Sequence, residues 1–224
     1  MKDTPFVAID CIIFGFDQKE ESLKILLLKH VLQSGETTWS LVSGFLNIDE
    51  SIDDAANRVL HSLTGLTEIY LEQLHASGAI HYGPEPRTIA ISYYALINQN
   101  AGILDDKYSA HWIKLSEKPK LIFDHDEMVS RAIKRLQRRA LTQPIGFKLL
   151  PTKFTMRQLI KLYEEIIGEP LDKRNFTKKV ISLGLLKRLT EKEKNSSRKG
   201  SFLYKFNAEK FNKGVEKGMT LHTT

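Results

Sequence analysis

Residues 44–66, GFLNIDESIDDAANRVLHSLTGL, constrain the fold of this chain more than any other stretch. Ser51 and Asp54 have the spacing of a capping box, and Asp53 adds negative charge where a first turn presents its N–H groups, so a helix starts here. Ile52, Ala55, Ala56, Val59, Leu60 and Leu63 then recur at helical spacing as one apolar stripe, and Gly65 is the stop. Such a stripe must pack against something, and the flanking sequence supplies it. Residues 6–16, FVAIDCIIFGF, are β-branched and aromatic enough for a buried strand, followed by strand-like runs at 24–30 and 38–42. Beyond the helix, residues 71–80 and 88–97 read as a strand pair joined by Gly83-Pro84-Glu85-Pro86, and 110–115 as a further short strand. Residues 125–141 set Met128, Val129, Ala132, Ile133, Leu136 and Ala140 on one side and five Arg and Lys on the other, the pattern of an amphipathic helix.

The first stretch resembles the Nudix box. Gly44, Glu50, Arg58, Leu60, Gly65 and Leu66 fall on fixed positions of that signature, whereas Val59, Ser62 and Leu63 stand where the family carries its metal-binding glutamates. Two apolar side chains and a serine cannot supply the oxygen ligands that hard cations require. Asp49, Glu50, Asp53 and Asp54 remain, in the loop and first turn, and read as a cap and a solvated edge. The expectation is therefore no catalytic residue, no metal and no cofactor. Leu121-Ile122-Phe123-Asp124-His125 resembles the Phe-Asp-His element of ADP-ribose-type Nudix members and Nudix-related transcriptional regulators, and Arg87 ahead of Tyr93-Tyr94 fits the same group. The resemblance covers roughly the first 140 residues. It implies an α/β fold, the Nudix-type α/β/α sandwich with a mixed sheet.

Charge divides the chain. Residues 1–140 carry 15 Lys and Arg against 19 Asp and Glu, a balance of −4, whereas residues 141–224 carry 18 against 8, a balance of +10. A basic C-terminal part on an acidic body points to a polyanion met by the tail alone. The sign changes within TQPIGFKLLP, residues 142–151, a candidate linker that is also apolar enough to pack. The domains expected are 1–142, a linker at 143–151, and 152–224.

The basic part reads as helix, turn, helix, ribbon. Thr155 caps a helix with a stripe of Met156, Leu159, Ile160, Tyr163 and Ile166, closed by Gly168. Asp172 caps a second helix, in which Phe176, Val180 and Leu183 face inward and Lys173, Arg174, Thr177 and Lys178 face out. Residues 185–190 and 202–206 form a hairpin around a basic loop with Lys192, Lys194, Arg198 and Lys199. This resembles a winged helix-turn-helix domain, whose second helix enters a major groove. The expected DNA-binding residues are Lys173, Arg174, Thr177, Lys178, Arg198 and Lys199.

The whole chain resembles the Nudix-related transcriptional regulators, whose members sense either ADP-ribose-like nucleotides or a pentose. With the metal-binding glutamates gone, a neutral sugar is the expected effector of a repressor of pentose catabolism. Asp10, Lys29, His30 and Trp39, at or near strand ends, are the candidate effector-binding residues. The alternatives are a regulator of NAD metabolism sensing ADP-ribose, a residual hydrolase using Glu50, Asp53 and Asp54, and a protein-binding adaptor. Partners implied are double-stranded operator DNA and a second copy of the chain, since a two-fold pair suits a palindrome. No apolar run approaches the roughly 20 residues of a membrane span, the N-terminus has no cleavage-like leader, and single Cys11 rules out an internal disulfide, so the expected compartment is the cytoplasm.

Overall fold

The computed structural model describes residues 4–78, 87–98, 109–143, 145–193 and 200–210. They divide into two compact units: residues 1–15 with 24–132, and residues 16–23 with 133–224.

In the first unit, β1 (Phe6–Asp17), β2 (Ser22–Val31), β3 (Thr37–Ser40), β4 (Val42–Phe45), β5 (Glu72–Ser77), β6 (Thr88–Asn98) and β7 (Ala110–Lys114) make one sheet. Its main order is β3-β2-β1-β6-β5, with β4 paired to β1 and β7 to β2. Helix α1 (Ile52–Thr64) starts where the sequence says it should. Ser51 Oγ accepts from the Asp54 N–H at 3.1 Å, and Gly65, at φ 73°, accommodates the left-handed cap that other residues resist. Its stripe packs on Ile9, Cys11, Ile13, Leu26, Leu28, Val42, Tyr93 and Ala95. Because strand side chains alternate, these residues define the α1 face, and Asp10 points to the other side. There it meets His125, the first residue of α2 (His125–Thr142). Both faces of β1 are covered, which explains why its apolar run is nearly continuous.

Gly44 lies in β4, a strand missing from the expected set. A Cβ there would come within 2.7 Å of Val59 Cγ2, so the box glycine lets the helix sit against the strand. The chain breaks at Leu41, where a single strand was expected over residues 38–42; β4 turns back onto β1, with Ser43 opposite Asp10. The Gly83-Pro84-Glu85-Pro86 turn lies outside the described residues.

In the second unit, residues 145–149 form a short 3-10 segment, β8 (Phe154–Thr155) leads into α3 (Met156–Ile167), and α4 (Lys173–Ser182) is followed by β9 (Leu186–Glu193) and β10 (Ser201–Phe206). The strand order is β8-β10-β9. Thr155 and Gln158 complete a reciprocal capping box on α3. Leu159, Leu162, Tyr163 and Ile166 of α3 are buried, as are Phe176 and Val180 of α4, and Tyr163 meets Phe176 with ring centroids 5.0 Å apart. The apolar stretch at the charge boundary packs: Phe147 stacks on Phe206 at 4.3 Å, and Ile145, Leu149 and Leu150 are buried. The hairpin tip, residues 16–23, belongs here too. Glu165 accepts from the Leu23 N–H at 3.2 Å, and Arg157 pairs with Glu21 at 3.0 Å. Among the described residues no helix is long and apolar enough to cross a membrane.

Candidate nucleic-acid interface and sensor site

The box residues that survive in this chain hold the loop before α1. Arg58 bridges the Glu50 carboxylate through Nε at 2.8 Å and Nη2 at 2.6 Å, and Nη2 also donates to Phe45 O at 2.8 Å. Glu50 accepts from the Asn47 N–H as well. The Arg58 hydrogen bonds, followed by the Asn47 amide, hold the Glu50 carboxyl down to about 2. Glu50 is thus a brace within the loop.

The other acids of this region are also engaged. Asp54 accepts from Ser51 Oγ at 2.7 Å, and Asp53 accepts from the Tyr93 hydroxyl. Burial, and then the Asp53 carboxylate, raises the Tyr93 phenol above its ordinary range. At the altered positions Val59 is core, Leu63 packs against it, and Ser62 is exposed with its hydroxyl turned back to Val59 O. These residues do not fit a divalent cation. Among the described residues, no three His, Cys, Asp or Glu side chains gather as a metal site.

The four residues expected to bind an effector do not form one cluster. Lys29 and Trp39 are cross-strand partners on β2 and β3 and share a face. His30, one residue on, is turned to the opposite face by the pleat and bonds to Ser40 Oγ at 2.7 Å. Asp10 is 2% exposed and accepts from Ser43 Oγ. His125 Nδ1 accepts from the Leu41 N–H at 3.1 Å, so Nε2 carries the proton, and it faces Asp10 Oδ1 at 3.4 Å. The sequence shows Asp10 as an acid in an apolar run, and the structure shows what offsets its burial: Oδ1 faces both the Ser43 hydroxyl and the His125 ring. Cys11 is equally committed, its thiol donating to Ala56 O at 3.8 Å. Burial, with the Asp10 charge second, pushes that thiol up to about 12.

On α4, Asp172 Oδ1 accepts from the Arg174 and Asn175 N–H groups, each at 3.0 Å, and fixes where the helix begins. Lys173, Arg174 and Lys178 are exposed, and Thr177 is half-buried beside Phe176 in sequence, which departs from its expected outward placement. Asn175 is exposed in the same first turn, its amide donating to Asp172 Oδ2 at 2.9 Å. Sequence reasoning passed over it, though Asn is a groove-reading side chain. Arg198 and Lys199 lie outside the described residues.

Residues 146–206 match the model of the NrtR DNA-binding winged helix domain. Over 209 residues, 91% of this chain and 82% of the relative, the sequence is 30% identical to the ADPR responsive transcriptional repressor NtrR of Acinetobacter baylyi. The chain belongs to the NrtR family of Nudix-fold regulators with a C-terminal winged helix. Its fold is accordingly a Nudix-like α/β fold with a mixed sheet, plus a winged helix domain. The structure of Shewanella oneidensis NrtR complexed with a 27mer DNA superposes with a TM-score of 0.76 at 24% identity, over 92% of this chain and 95% of that one. The Nudix domain of the same protein, complexed with ADP ribose, gives 0.50 at 25% identity over 59% and 89%.

Proposed function

We propose that this chain is a transcriptional repressor that holds operator DNA through its winged helix and releases it in response to ADP-ribose, the Nudix-fold unit sensing the nucleotide without hydrolysing it. The observation that carries this reading is the likeness, along nearly the whole chain, to a repressor described as ADPR responsive. It replaces the pentose expected from the sequence. That expectation took loss of the metal ligands for loss of a phosphate site, but a pyrophosphate is also held by lysine, arginine and backbone N–H groups without any metal.

On this reading, Lys29 and Trp39 are the candidate contacts, an ammonium for the pyrophosphate beside an aromatic face for the base. The recognition helix sets Lys173, Arg174 and Lys178 toward the major groove, with Arg198 and Lys199 on flanking phosphates. Two copies would read the two halves of a palindrome. Hydrolysis is not expected, because Glu50, Asp53 and Asp54 are spent on Arg58, Tyr93 and Ser51.

The test is a DNA-release titration over ADP-ribose, NAD and a panel of pentoses. Release by ADP-ribose with no effect of any sugar is the expected result, and Trp39→Ala should weaken the response while leaving effector-free DNA binding intact. Release by a pentose alone would return the sugar reading to first place.

A further inference from the structure

The turn that joins β1 to β2 does more than reverse the chain. Asp17 Oδ1 accepts from the Lys19 and Glu20 N–H groups at 2.8 and 3.1 Å, so the turn is held by its own first residue. Glu21 then adopts a left-handed backbone, φ 50°, a conformation that glycine takes freely and a glutamate resists. A glutamate kept where glycine would relieve the strain implies a use for its side chain. Its carboxylate pairs with Arg157 of α3 at 3.0 Å. Two residues on, the Leu23 N–H donates to Glu165 Oε2 at 3.2 Å, about two turns further along the same helix.

This seat on α3 is closed but incompletely satisfied. Phe16, Ser22 and Leu23 are buried, yet the Ser22 hydroxyl and the Gln18 side-chain nitrogen, both buried, meet no hydrogen-bond partner among the described residues. Polar groups buried in this way cost free energy, so the seated arrangement is held with little margin. Its anchors are an ion pair with a largely exposed arginine and one side-chain acceptor, contacts that can be made and broken. The chain passes from one compact unit to the other within β1, within β2 and within α2. α2 is a continuous helix across its passage, whereas the hairpin ends in a seat with a second arrangement open to it, unseated. Asp10 lies on β1, and Lys29, a proposed ADP-ribose contact, lies on β2. Coupling between separate sites requires an element with two discrete arrangements that both sites bias.

We infer that the seat of the β1–β2 tip on α3 is the regulatory contact through which effector occupancy on the sensor strands changes the DNA affinity of the winged helix unit, with Glu165 and the Glu21–Arg157 pair as its positioning residues. This rests on the ADP-ribose reading above and adds to it the route of the signal. The ratio of DNA affinities without and with ADP-ribose then depends on the seat, while the affinity for either ligand alone does not.

The experiment uses the full chain and a labelled duplex enriched from a random pool by the wild-type protein, with a scrambled version of it as the control for specific binding. DNA affinity is measured by fluorescence anisotropy without and with saturating ADP-ribose, and ADP-ribose affinity by calorimetry on the DNA-free protein. Melting temperatures are recorded alongside. Glu165→Ala and Glu21→Lys should each reduce the effect of ADP-ribose on DNA affinity by about fivefold, with effector-free DNA affinity and DNA-free ADP-ribose affinity within about twofold of wild type. Glu165→Gln keeps an oxygen for the Leu23 N–H and should keep the effect. Lys161→Ala removes the Lys161–Glu165 pair at 3.4 Å but not the seat, and should keep it too. Combining Glu21→Lys with Arg157→Glu restores an ion pair of opposite sense and should restore the effect. An ADP-ribose effect of wild-type size in both Glu165→Ala and Glu21→Lys, whatever their melting temperatures, would overturn the inference, as would a charge-reversed pair that stays at the level of Glu21→Lys alone. Wild-type DNA affinity that ADP-ribose leaves unchanged would remove the ADP-ribose reading, and the inference with it.

Discussion

Helices α1 and α4 are built alike and dispose their polar positions in opposite ways. Each begins at a polar cap, Ser51 or Asp172, and each buries an apolar face. They differ in where the positions that could carry chemistry ended up. In α1 the first of the box's altered positions is Val59, fully buried and pressed against Gly44, and the neighbouring acids are tied to Arg58, Tyr93 and Ser51. In α4 the charged positions Lys173, Arg174 and Lys178 stay outside, and only Phe176 and Val180 are buried. One helix is scaffold, while the other keeps its charged positions exposed, where the proposed DNA contact needs them.

The largest effect should come from putting a glutamate back into α1. Val59→Glu would bury an unpaired carboxylate against the core and Gly44, and we expect a loss of roughly 3–5 kcal/mol in urea unfolding. Ser62→Glu, on the exposed side of the same helix, should stay within about 0.5 kcal/mol. Equal tolerance of the two would mean that α1 is not committed to packing. On α4 the expected cost falls on binding. Arg174→Ala should cost roughly 1–3 kcal/mol of affinity for the enriched duplex and narrow the gap to scrambled DNA, with little change in melting temperature.

Why these two helices were legible, and other features were not, follows from period and from distance along the chain. Caps, stripes and glycine stops are local, so α1, α3 and α4 could be read closely from residues such as Ser51, Thr155 and Asp172. Strand β8 has two residues and β4 four, too short to show alternation. The sensor residues were read as strand-end neighbours, yet a one-residue step in a strand reverses the face, which separates His30 from Lys29. Pairings such as Asp10 with His125, Tyr93 with Asp53 and Glu21 with Arg157 depend on the register of distant segments, and no local pattern encodes them. The choice of effector turns on a different point: the sequence shows which metal ligands are missing but not which other groups can hold a phosphate.

Smaller effects sharpen the contrast. Asp172→Ala should cost about 1 kcal/mol of stability by removing a cap, and DNA affinity should fall with it if the first turn of α4 carries the proposed contacts. Glu50 should remain ionised, and the Arg58 brace intact, as pH falls below the ordinary carboxylate range. Its folded value of about 2 lies below the unfolded 4.5, so its contribution to stability is complete above the unfolded value and is lost progressively as pH falls from there through about 2. A carboxyl titration of Glu50 by NMR checks this. The smallest effect is a lack of reaction: with its thiol pushed up to about 12, Cys11 should resist alkylation at neutral pH until the chain unfolds.

The most direct test of a sensor with an inert box is to follow one sample in two ways. A complex of the chain with its enriched duplex, in buffer containing Mg²⁺, is titrated with ADP-ribose while DNA release and the nucleotide content are measured together. The account predicts that DNA is released and that ADP-ribose is recovered intact. Conversion of ADP-ribose to AMP and ribose 5-phosphate, abolished by Glu50→Gln, would contradict it.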